Sequence, residues 1–371
     1  MNFDLSDEQK FMAEQVLSLL KKYTSDGALR AHLAEHLPYH EPLWREVSQM
    51  GVPGIAIEEE FGGMGLGEID LAILAAEFGR TVAPVPFFSS VCLATEVLRL
   101  AASAEQKRRL LPRLASGETI GVLVWDSDCK ISVPGVTDIQ YVDGRLDGEF
   151  GPVPDAGAAD ICVVAVQHNG RPALALVESL DDVKFSEMVG LEQMRHHSRV
   201  RFDGAKAELL PAGDAADILR RMRIKAAVYG AFEQVGGAEG CLYMVRDYTL
   251  GREVYDKPLA SYQAVKHRLA DLFADVEIAK SCAYYAAWAL EADAPDLVSA
   301  AAAPRIASNH AYDLAARENL QFHGGVGFTL DVDVHFHYRR ARLLTLQFGG
   351  TEQWSDELIR TMTAQNLLDE V

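Results

Sequence analysis

The most informative part of this sequence is the stretch Gln321-Phe-His-Gly-Gly-Val-Gly-Phe328, followed about twenty residues later by Phe348-Gly-Gly-Thr351. The paired glycines Gly324 and Gly325 have no side chains, so backbone amides at these positions can approach a bound group closely. Between the two stretches lies Tyr338-Arg-Arg-Ala-Arg342, whose guanidinium groups suit either an anionic partner or a solvated helix face. These features make this end of the chain a candidate for contact with a bound group.

Length and charge limit the classes of function. With 371 residues the chain exceeds one ordinary domain, which predicts two or three packed units with a sizeable core. The formal net charge of −19 repels phosphate polymers, and no local basic patch offsets it, so nucleic-acid binding is not expected. The N-terminal segment has no basic stretch followed by an apolar run, and no uncharged apolar stretch of about 18 residues occurs. These features predict a soluble, cytoplasmic protein with no membrane insertion.

Cysteine and histidine patterns predict neither a disulfide framework nor a metal centre. The five cysteines are widely separated, odd in number and without a CxxC pair, so we expect reduced, mostly buried thiols. His335-Phe-His337 places two imidazoles two residues apart, which suits a metal only in an extended segment. No cluster of cysteines or carboxylates completes such a site. The cysteines are Cys92, Cys129, Cys162, Cys241 and Cys282.

The local pattern changes twice along the chain. Residues 4 to about 117 show helical periodicity, which begins at the N-cap signal Ser6-Asp-Glu-Gln9. From about 119 to 212 the sequence consists of short β-branched or alternating runs, and helical patterns return after about 213. The turn signals between the runs are Asp143-Gly144 and Asn169-Gly170. The predicted order is therefore helical, β, helical.

Motifs in this order resemble those of the acyl-CoA dehydrogenase family nearly from end to end. The C-terminal part has Gln-x-x-Gly-Gly-x-Gly from Gln321, an Arg-rich segment, and an aromatic-x-Gly-Thr from Phe348. The segment from Tyr248 to Asp271 follows the family's Tyr-x-x-x-Arg, aromatic, Gln pattern. The N-terminal part resembles the family at Glu60-Phe-Gly-Gly63, Glu77-Phe-Gly-Arg80, Ala104 to Pro112, and Ala115-Ser-Gly-Glu118.

This resemblance implies a fold class: α+β and mainly α, with the acyl-CoA dehydrogenase fold. The implied domains are an N-terminal helical domain over residues 1–118, a middle β-barrel-like domain over residues 119–212, and a C-terminal four-helix bundle over residues 213–371. It also implies an FAD-dependent oxidoreductase, a flavoprotein of lipid metabolism that introduces an α,β double bond into an acyl-CoA thioester.

The resemblance implies which residues contact FAD. In the family, the Arg and Gln of these motifs lie at a subunit interface and hold the FAD of a neighbouring chain. A guanidinium such as that of Arg252 suits the pyrophosphate through paired, charge-assisted hydrogen bonds. The pattern departs from the family at Asp256, where Gly is usual, and at Tyr255, where Phe is usual. The candidate cofactor-binding residues are Arg252, Tyr255, Gln263, Gln321, Gly324 and Gly325.

The segments that contact the flavin ring in the family differ here. Family members carry Thr-Glu-Pro and a Gly-Ser pair, and later a Trp-Ile-Thr strand. This chain has Trp125-Asp-Ser-Asp-Cys-Lys-Ile-Ser-Val-Pro134 and Glu149-Phe-Gly-Pro-Val-Pro-Asp155 in those regions. A missing hydroxyl and misplaced prolines would leave the ring without donors that set its electronics. We infer that the chain keeps the half-site offered to a neighbour and has lost its own.

The family's catalytic base is also missing. Removal of the α-proton from a thioester needs a carboxylate within hydrogen-bond reach. The two family positions for that carboxylate hold Gly349 and Ala226 here, so no catalytic residue is predicted in this chain. Glu233 and Glu239, further along the helix that contains Ala226, are candidates for a relocated base, although solvated or interface carboxylates are their expected roles.

Three functional hypotheses remain. The first is a subunit, inactive alone, of a heteromeric acyl-CoA dehydrogenase whose paralogous partner supplies the catalytic Glu and whose electrons pass to an electron-transfer flavoprotein or similar acceptor. The pattern resembles the base-lacking subunit of α2β2 bacterial steroid side-chain dehydrogenases, heterotetramers with a halved number of FAD sites, which implies a steroid side-chain CoA ester as substrate. The second is a homomeric dehydrogenase with a relocated base. The third is a non-enzymatic acyl-CoA-binding or assembly protein.

Overall fold

The structure, a computed structural model, describes residues 5–25, 27–127 and 133–364. The N-terminal helices are α1 Asp7–Thr24, α2 Ala28–Glu35, α3 Glu41–Gln49, α4 Glu68–Thr81, α5 Glu96–Ala101 and α6 Ala104–Ala115. The strands are β1 Gly121–Val124, β2 Gln140–Val142, β3 Arg145–Pro154, β4 Ile161–His168, β5 Arg171–Val177, β6 Val183–Met188, β7 His197–Lys206 and β8 Glu208–Leu209. The C-terminal elements are α7 Ala215–Gly251, β9 Glu253–Val254, β10 Lys257–Pro258, α8 Gln263–Glu291, α9 Leu297–His323, α10 Val334–Leu346 and α11 Thr351–Ala364.

The predicted order of helices, strands and helices is confirmed. Helix α1 begins at the predicted signal, where the Ser6 side chain accepts the Gln9 N–H and the Gln9 side chain accepts the Ser6 N–H. The division into three domains at residues 118 and 212 stays a prediction. By contacts the described chain groups into two compact units. One unit contains the residues up to Ala34, Ala72–Ala83 and those from Ala227 onward, and the other contains Glu35–Leu71 and Pro84–Ala226.

The sheet lies in the second unit and is mixed. Its strands follow the order β6-β7-β3-β2-β4-β5-β8, with β1 pairing in parallel with β4. Both predicted turns are confirmed: Asp143 and Gly144 join β2 to β3, and Asn169 and Gly170 join β4 to β5, all four with positive φ. Such paired positive values match the twist of a tight hairpin. The core of the sheet is mainly aliphatic, with Val122, Leu146, Val164, Val200 and Phe202 among its buried side chains.

The described cysteines behave as predicted. Cys92, Cys162 and Cys241 are buried free thiols and Cys282 is half-buried, whereas Cys129 lies outside the described residues. Burial raises the pKa of the Cys162 thiol to about 12, so it carries no reactive thiolate near neutral pH. None of the helices formed by residues 5–25, 27–127 and 133–364 has the length and apolar character needed to cross a membrane.

In the first unit, glycines allow the end of α4 to approach α7 closely. A Cβ at Gly79 would overlap the Glu233 carbonyl, and a Cβ at Gly236 would overlap the Ala76 carbonyl. The two backbones therefore meet where neither helix has a side chain. Helix α9 packs against α8, α10 and α11, so the C-terminal helices form the core of this unit.

We predict that Gly236→Ala lowers the free energy of unfolding by about 1–3 kcal/mol, because the added methyl group overpacks a rigid backbone contact. The matched control is Gly251→Ala at the end of the same helix, where a Cβ would meet no atom within 4 Å. The control should change stability by less than about 1 kcal/mol. Chemical denaturation of both variants measures the difference, and equal stabilities would show that the α4–α7 approach is not tight.

Candidate functional site

Arg252 directly follows α7 and opens the hairpin formed by β9 and β10. Its N–H donates to the Tyr248 carbonyl at 2.8 Å, and its carbonyl accepts the Leu259 N–H at 2.7 Å, so the backbone is held on both sides. At the hairpin tip, Tyr255 and Asp256 have φ values of +51° and +59°. Asp tolerates this left-handed conformation, which accounts for a non-glycine residue at a position where the family pattern has Gly. Tyr255 is 87% exposed at this tip.

The remaining predicted cofactor-binding residues are also open to solvent. The side chains of Arg252, Gln263 and Gln321 are exposed, and within the described part of the chain they have no hydrogen-bond or ion-pair partner. Gly324 and Gly325 are exposed too, and a Cβ at either position would meet no atom within 4 Å. One guanidinium, two primary amides and an accessible backbone are therefore available to a polar or anionic ligand.

Two contacts hold these predicted segments together at one end of α7, α8 and α9. The Tyr248 ring stacks on the His323 ring with 4.1 Å between centroids and 29° between planes, which joins the end of α7 to the end of α9. Arg268 of α8 pairs with Glu318 of α9 at 2.7 Å. Tyr248 and His323 each lie inside a motif that the sequence singles out, but sequence reasoning missed the contact between them.

His323 is a neutral part of this arrangement near neutral pH. Its Nδ1 lies 2.8 Å from the Asn319 carbonyl oxygen. Burial lowers the pKa of the His323 imidazole below its ordinary value, although that hydrogen bond acts in the opposite direction. The next residue, Gly324, ends α9 with φ +62° and donates its N–H to the Gln321 carbonyl. The site's positive charge therefore comes from Arg252 rather than from the histidine beside the glycines.

The turn that carries Gly349 joins α10 to α11 and is held by the buried guanidinium of Arg305. This group donates through Nη2 to the carbonyls of Leu344, Gln347 and Gly349 at 3.0, 2.8 and 3.2 Å. Through Nη1 it donates to the Gln234 side-chain oxygen at 2.6 Å. Burial lowers the pKa of Arg305 to about 10, so it remains charged at neutral pH. In the sequence, the one sign of this structural role of Arg305 is that it is a charged residue within an Ala-rich, apolar run.

The backbone of this turn favours glycine. Phe348 and Gly349 have φ values of +63° and +90°, and the Trp354 indole N–H donates to the Phe348 carbonyl at 2.9 Å. A residue with a Cβ is strained at such angles, by about 1–2 kcal/mol. Position 349 thus lacks a carboxylate, and its conformation also disfavours one.

The second family position for the base, Ala226, is fully buried in α7 and has no ionisable group. Its chain neighbour Lys225 is paired with Glu68 and with Glu96, each at 2.5 Å. Burial would raise the pKa of the Glu96 carboxyl, but Lys225 and Arg99 more than offset that effect and hold the pKa below its ordinary value. Glu96 is therefore held as a carboxylate by its cations and is a weak base.

Of the two roles expected for Glu233 and Glu239, the solvated one is wrong, whereas the interface role stays a prediction. Both side chains are buried, at 1% and 5% exposure. Glu233 pairs with Arg340 at 2.8 Å, and Glu239 pairs with Arg80 at 2.5 Å and with Lys280 at 2.8 Å. Arg340 is itself only 1% exposed, so the solvated helix face considered for the Arg-rich segment is also wrong at this residue. Their partners lie far away in the sequence, which is why local pattern missed the burial.

The two histidines of α10 are buried and lie on a helix, so their side chains do not share the single face that an extended segment would give them. His337 Nδ1 lies 3.1 Å from the Tyr312 hydroxyl, and burial together with the charge of Arg340 lowers the pKa of His337 to about 3. Burial, Arg339 and Arg30 lower the pKa of His335 to about 4. Within the described residues, no group of three or more His, Cys, Asp or Glu side chains is placed to hold a metal ion.

Comparison with known proteins identifies the family. Profiles of the acyl-CoA dehydrogenase N-terminal and C-terminal domains match residues 6–118 and 218–363. The acyl-CoA dehydrogenase IpdE2 of Mycobacterium tuberculosis is 30% identical over 336 residues, which cover 90% of this chain and 91% of that protein. The chain belongs to the acyl-CoA dehydrogenase family.

Solved structures of the family share the fold. A variant described as the Tcur3481-Tcur3483 steroid ACAD is 26% identical, with a TM-score of 0.87 and coverage of 97% of this chain and 99% of that one. Butyryl-CoA dehydrogenase from Megasphaera elsdenii is 20% identical, with a TM-score of 0.87 and coverage of 98% and 100%. The second similarity shows the fold alone.

The family implies FAD, and the residues present fit that cofactor on one side. Arg252, Gln263 and Gln321 supply the donors and acceptors that a pyrophosphate and a polar cofactor edge require, beside the open backbone at Gly324. The region expected to contact the flavin ring fits poorly, because β3 ends in Pro152-Val-Pro154 and proline has no backbone N–H to donate. Residues 128–132 of the other expected segment lie outside the described residues.

The buried His337 predicts a pH dependence of stability. Because its folded pKa of about 3 lies below the ordinary value of 6.5, the unfolded chain binds more protons between those values, and stability falls as pH decreases from 6.5 toward 3. One such group contributes up to about 1.4 kcal/mol per pH unit.

The variant His337→Gln should therefore lose less stability than the unmodified protein between pH 6.5 and pH 4.5, as measured by denaturant unfolding. His267→Gln, which replaces an exposed histidine of α8, is the control and should keep the original slope. Parallel slopes for all three proteins would show that His337 is not held neutral.

Proposed function

We propose that this chain is a subunit of a heteromeric FAD-dependent acyl-CoA dehydrogenase, in which a related chain supplies the catalytic Glu and the flavin-ring contacts. The observation that carries the proposal is the separation of two features along α9. The C-terminal end of α9 presents exposed groups that can bind a cofactor. The first half of α9 contains Arg305, which hydrogen-bonds the turn at Gly349, where no carboxylate is present. A chain built this way can help to bind FAD for a neighbour but lacks the group that removes a proton.

The distance between these two features can be counted along α9. Arg305, which holds the turn at Gly349, and Gln321, beside the open glycines, lie sixteen residues apart on α9. At 1.5 Å per residue that distance is about 24 Å along the helix. The candidate cofactor contacts and the turn at Gly349 therefore lie at different levels along α9, which supports their assignment to different cofactor sites.

The proposed reaction divides the work between two chains. FAD, when bound, takes the β-hydride of the thioester while a carboxylate takes the α-proton. This chain contributes the binding groups Arg252, Gln263 and Gln321 and the open backbone at Gly324 and Gly325. The partner contributes the proton acceptor, because Gly349 and Ala226 cannot act as one.

The alternative of a relocated base has less support. Glu233 is buried against Arg340, and Glu239 is shared between two cations. Both carboxylates are therefore buried and occupied by cations, so neither is free to approach a thioester. Moving either group toward a thioester would also leave a buried cation without its partner, which is strongly unfavourable.

The substrate class and the assembly follow from similarity and are part of the proposal. The likeness to the protein described as the Tcur3481-Tcur3483 steroid ACAD supports a two-chain assembly and a steroid side-chain CoA ester as substrate. An α2β2 heterotetramer in the cytoplasm, with an electron-transfer flavoprotein or similar acceptor, completes the proposal.

Substitution of the binding groups tests the shared cofactor site. Arg252→Ala and Gln321→Ala should lower the FAD content of the complex, and the Arg252 variant should weaken FAD binding about 10- to 100-fold because it removes charge-assisted hydrogen bonds. Arg246→Ala is the control: it removes the same charge six residues earlier, within α7, where the partner is the local carboxylate of Asp247. Flavin absorbance per protein mass is the measurement, and unchanged occupancy in both site variants would contradict the proposal.

The composition of the complex gives a second test. Co-expression with a paralogue that retains the Glu should yield a complex with about one FAD per two chains, whereas the chain purified alone should contain little flavin and show no acyl-CoA-dependent reduction of an artificial acceptor. Native mass and flavin absorbance measure the first expectation. One FAD per chain in the lone protein, with turnover that Glu233→Gln abolishes, would establish a homomeric enzyme with a relocated base instead.

A further inference from the structure

Residues 324–333 connect α9 to α10 and include the exposed glycines Gly324 and Gly325. Contacts within this connection hold its first half in place. Gly327 packs so closely on α9 that a Cβ there would lie 2.6 Å from the Leu320 carbonyl oxygen. The Thr329 N–H and hydroxyl donate to the Val326 carbonyl at 3.0 and 2.8 Å. The Asp331 N–H in turn donates to the Thr329 hydroxyl at 3.2 Å. The first half of the connection thus has a fixed backbone.

The second half is held by a residue from the other end of the sequence. Arg30 of α2 donates through Nη1 to the Asp331 carbonyl and, at 3.5 Å, to the Leu330 carbonyl. Its Nε forms an ion pair with the Asp333 carboxylate at 2.9 Å. One guanidinium therefore joins two backbone carbonyls and the residue that precedes α10. Gly27 makes room for it, because a Cβ there would lie 2.7 Å from Arg30 Nη2.

We propose that Arg30 is a positioning residue for the cofactor contact, acting through the backbone of residues 324–333 rather than by touching FAD. This inference rests on the proposed function, which places FAD against Gly324 and Gly325. Exposed glycines have wide conformational freedom, and fixing them on binding costs entropy. Anchoring both halves of the connection reduces that cost before the ligand arrives, which favours binding.

The geometry distinguishes Arg30 from an ordinary surface ion pair. A surface pair links two mobile side chains and contributes little. Here two of the three groups that Arg30 contacts are backbone carbonyls, so the guanidinium restrains the main chain directly. Nη1 contacts both carbonyls while Nε faces Asp333, so a lysine, with a single nitrogen, could keep the charge beside Asp333 but not both sets of contacts at once.

The test uses the assembled complex, stripped of flavin and titrated with FAD. Arg30→Ala should raise the dissociation constant for FAD about five- to tenfold. Arg30→Lys should lie between Arg30→Ala and the unmodified complex. Arg45→Ala is the matched control, because Arg45 is an exposed arginine of the N-terminal helices that pairs locally with Glu41. It should leave the dissociation constant unchanged.

Two further measurements separate positioning from a general loss of stability. Hydrogen exchange of the flavin-free Arg30→Ala complex should increase in residues 324–333 and stay unchanged in the sheet. A double-mutant cycle of Arg30→Ala with Asp333→Asn should show non-additive effects on the FAD dissociation constant. Increased exchange throughout the chain, or strictly additive effects, would overturn the inference. If Arg30→Ala does not assemble, Asp333→Asn alone replaces it and should raise the dissociation constant severalfold.

Arg252→Ala, measured in parallel, separates the positioning role of Arg30 from the proposed function. If Arg252→Ala weakens FAD binding and Arg30→Ala does not, the positioning role is wrong and the proposed function stands. If neither variant weakens FAD binding, the proposed function itself fails. Weaker binding in both, with Arg45→Ala unchanged, supports the proposal.

Discussion

The buried guanidinium of Arg305 is the constraint on which the C-terminal helices depend. It is 0% exposed, and its hydrogen-bond acceptors are the Gln234 amide and backbone carbonyls at the end of α10, where the aligned peptide dipoles place negative charge. The network continues from Gln234 to Asn309 at 2.6 Å and from Asn309 to Thr351 at 3.1 Å. A buried polar network of this kind is favourable only when its members keep their partners. It therefore sets the register of α7, α9, α10 and α11 together.

The same requirement explains why the two buried carboxylates of α7, Glu233 and Glu239, are both paired with cations. Burial of a carboxylate is expensive unless a cation accompanies it, and Glu233 and Glu239 each have one within 2.8 Å. A catalytic carboxylate needs an open path to its substrate, whereas these two groups are buried and held by cations. Glu233 and Glu239 follow Ala226 on the same helix because they belong to the buried ion pairs of the core. Proximity in sequence to Ala226 carries no catalytic meaning for either residue.

Local sequence predicted the parts of the structure that local physics determines. The capping signal at Ser6, the hairpin turns at Asp143 and Asn169, and the change from helices to strands are each properties of a few neighbouring residues, and the structure confirms them. The candidate cofactor residues were found through motif resemblance. The structure adds that they are exposed and that the Tyr248–His323 stack and the Arg268–Glu318 ion pair join the segments that contain them. The pairing of Glu233 with Arg340, the stack of Tyr248 on His323 and the Arg30 contact join positions about 75 to 300 residues apart. Such contacts depend on tertiary packing, which no local pattern contains.

The absence of a carboxylate at position 349 follows from the backbone of this turn and not only from one missing side chain. Two successive residues, Phe348 and Gly349, have positive φ, and donors from Arg305 and Trp354 hold the carbonyls of this turn. Replacing Gly349 by Glu would add a carboxylate but also a strained Cβ, so the turn would have to change for that carboxylate to adopt a new position. Arg305 opposes such a change, because moving the turn would remove acceptors from a buried charge. The core that organises the helices therefore also keeps this position free of a base, while the far end of α9 remains open for a cofactor.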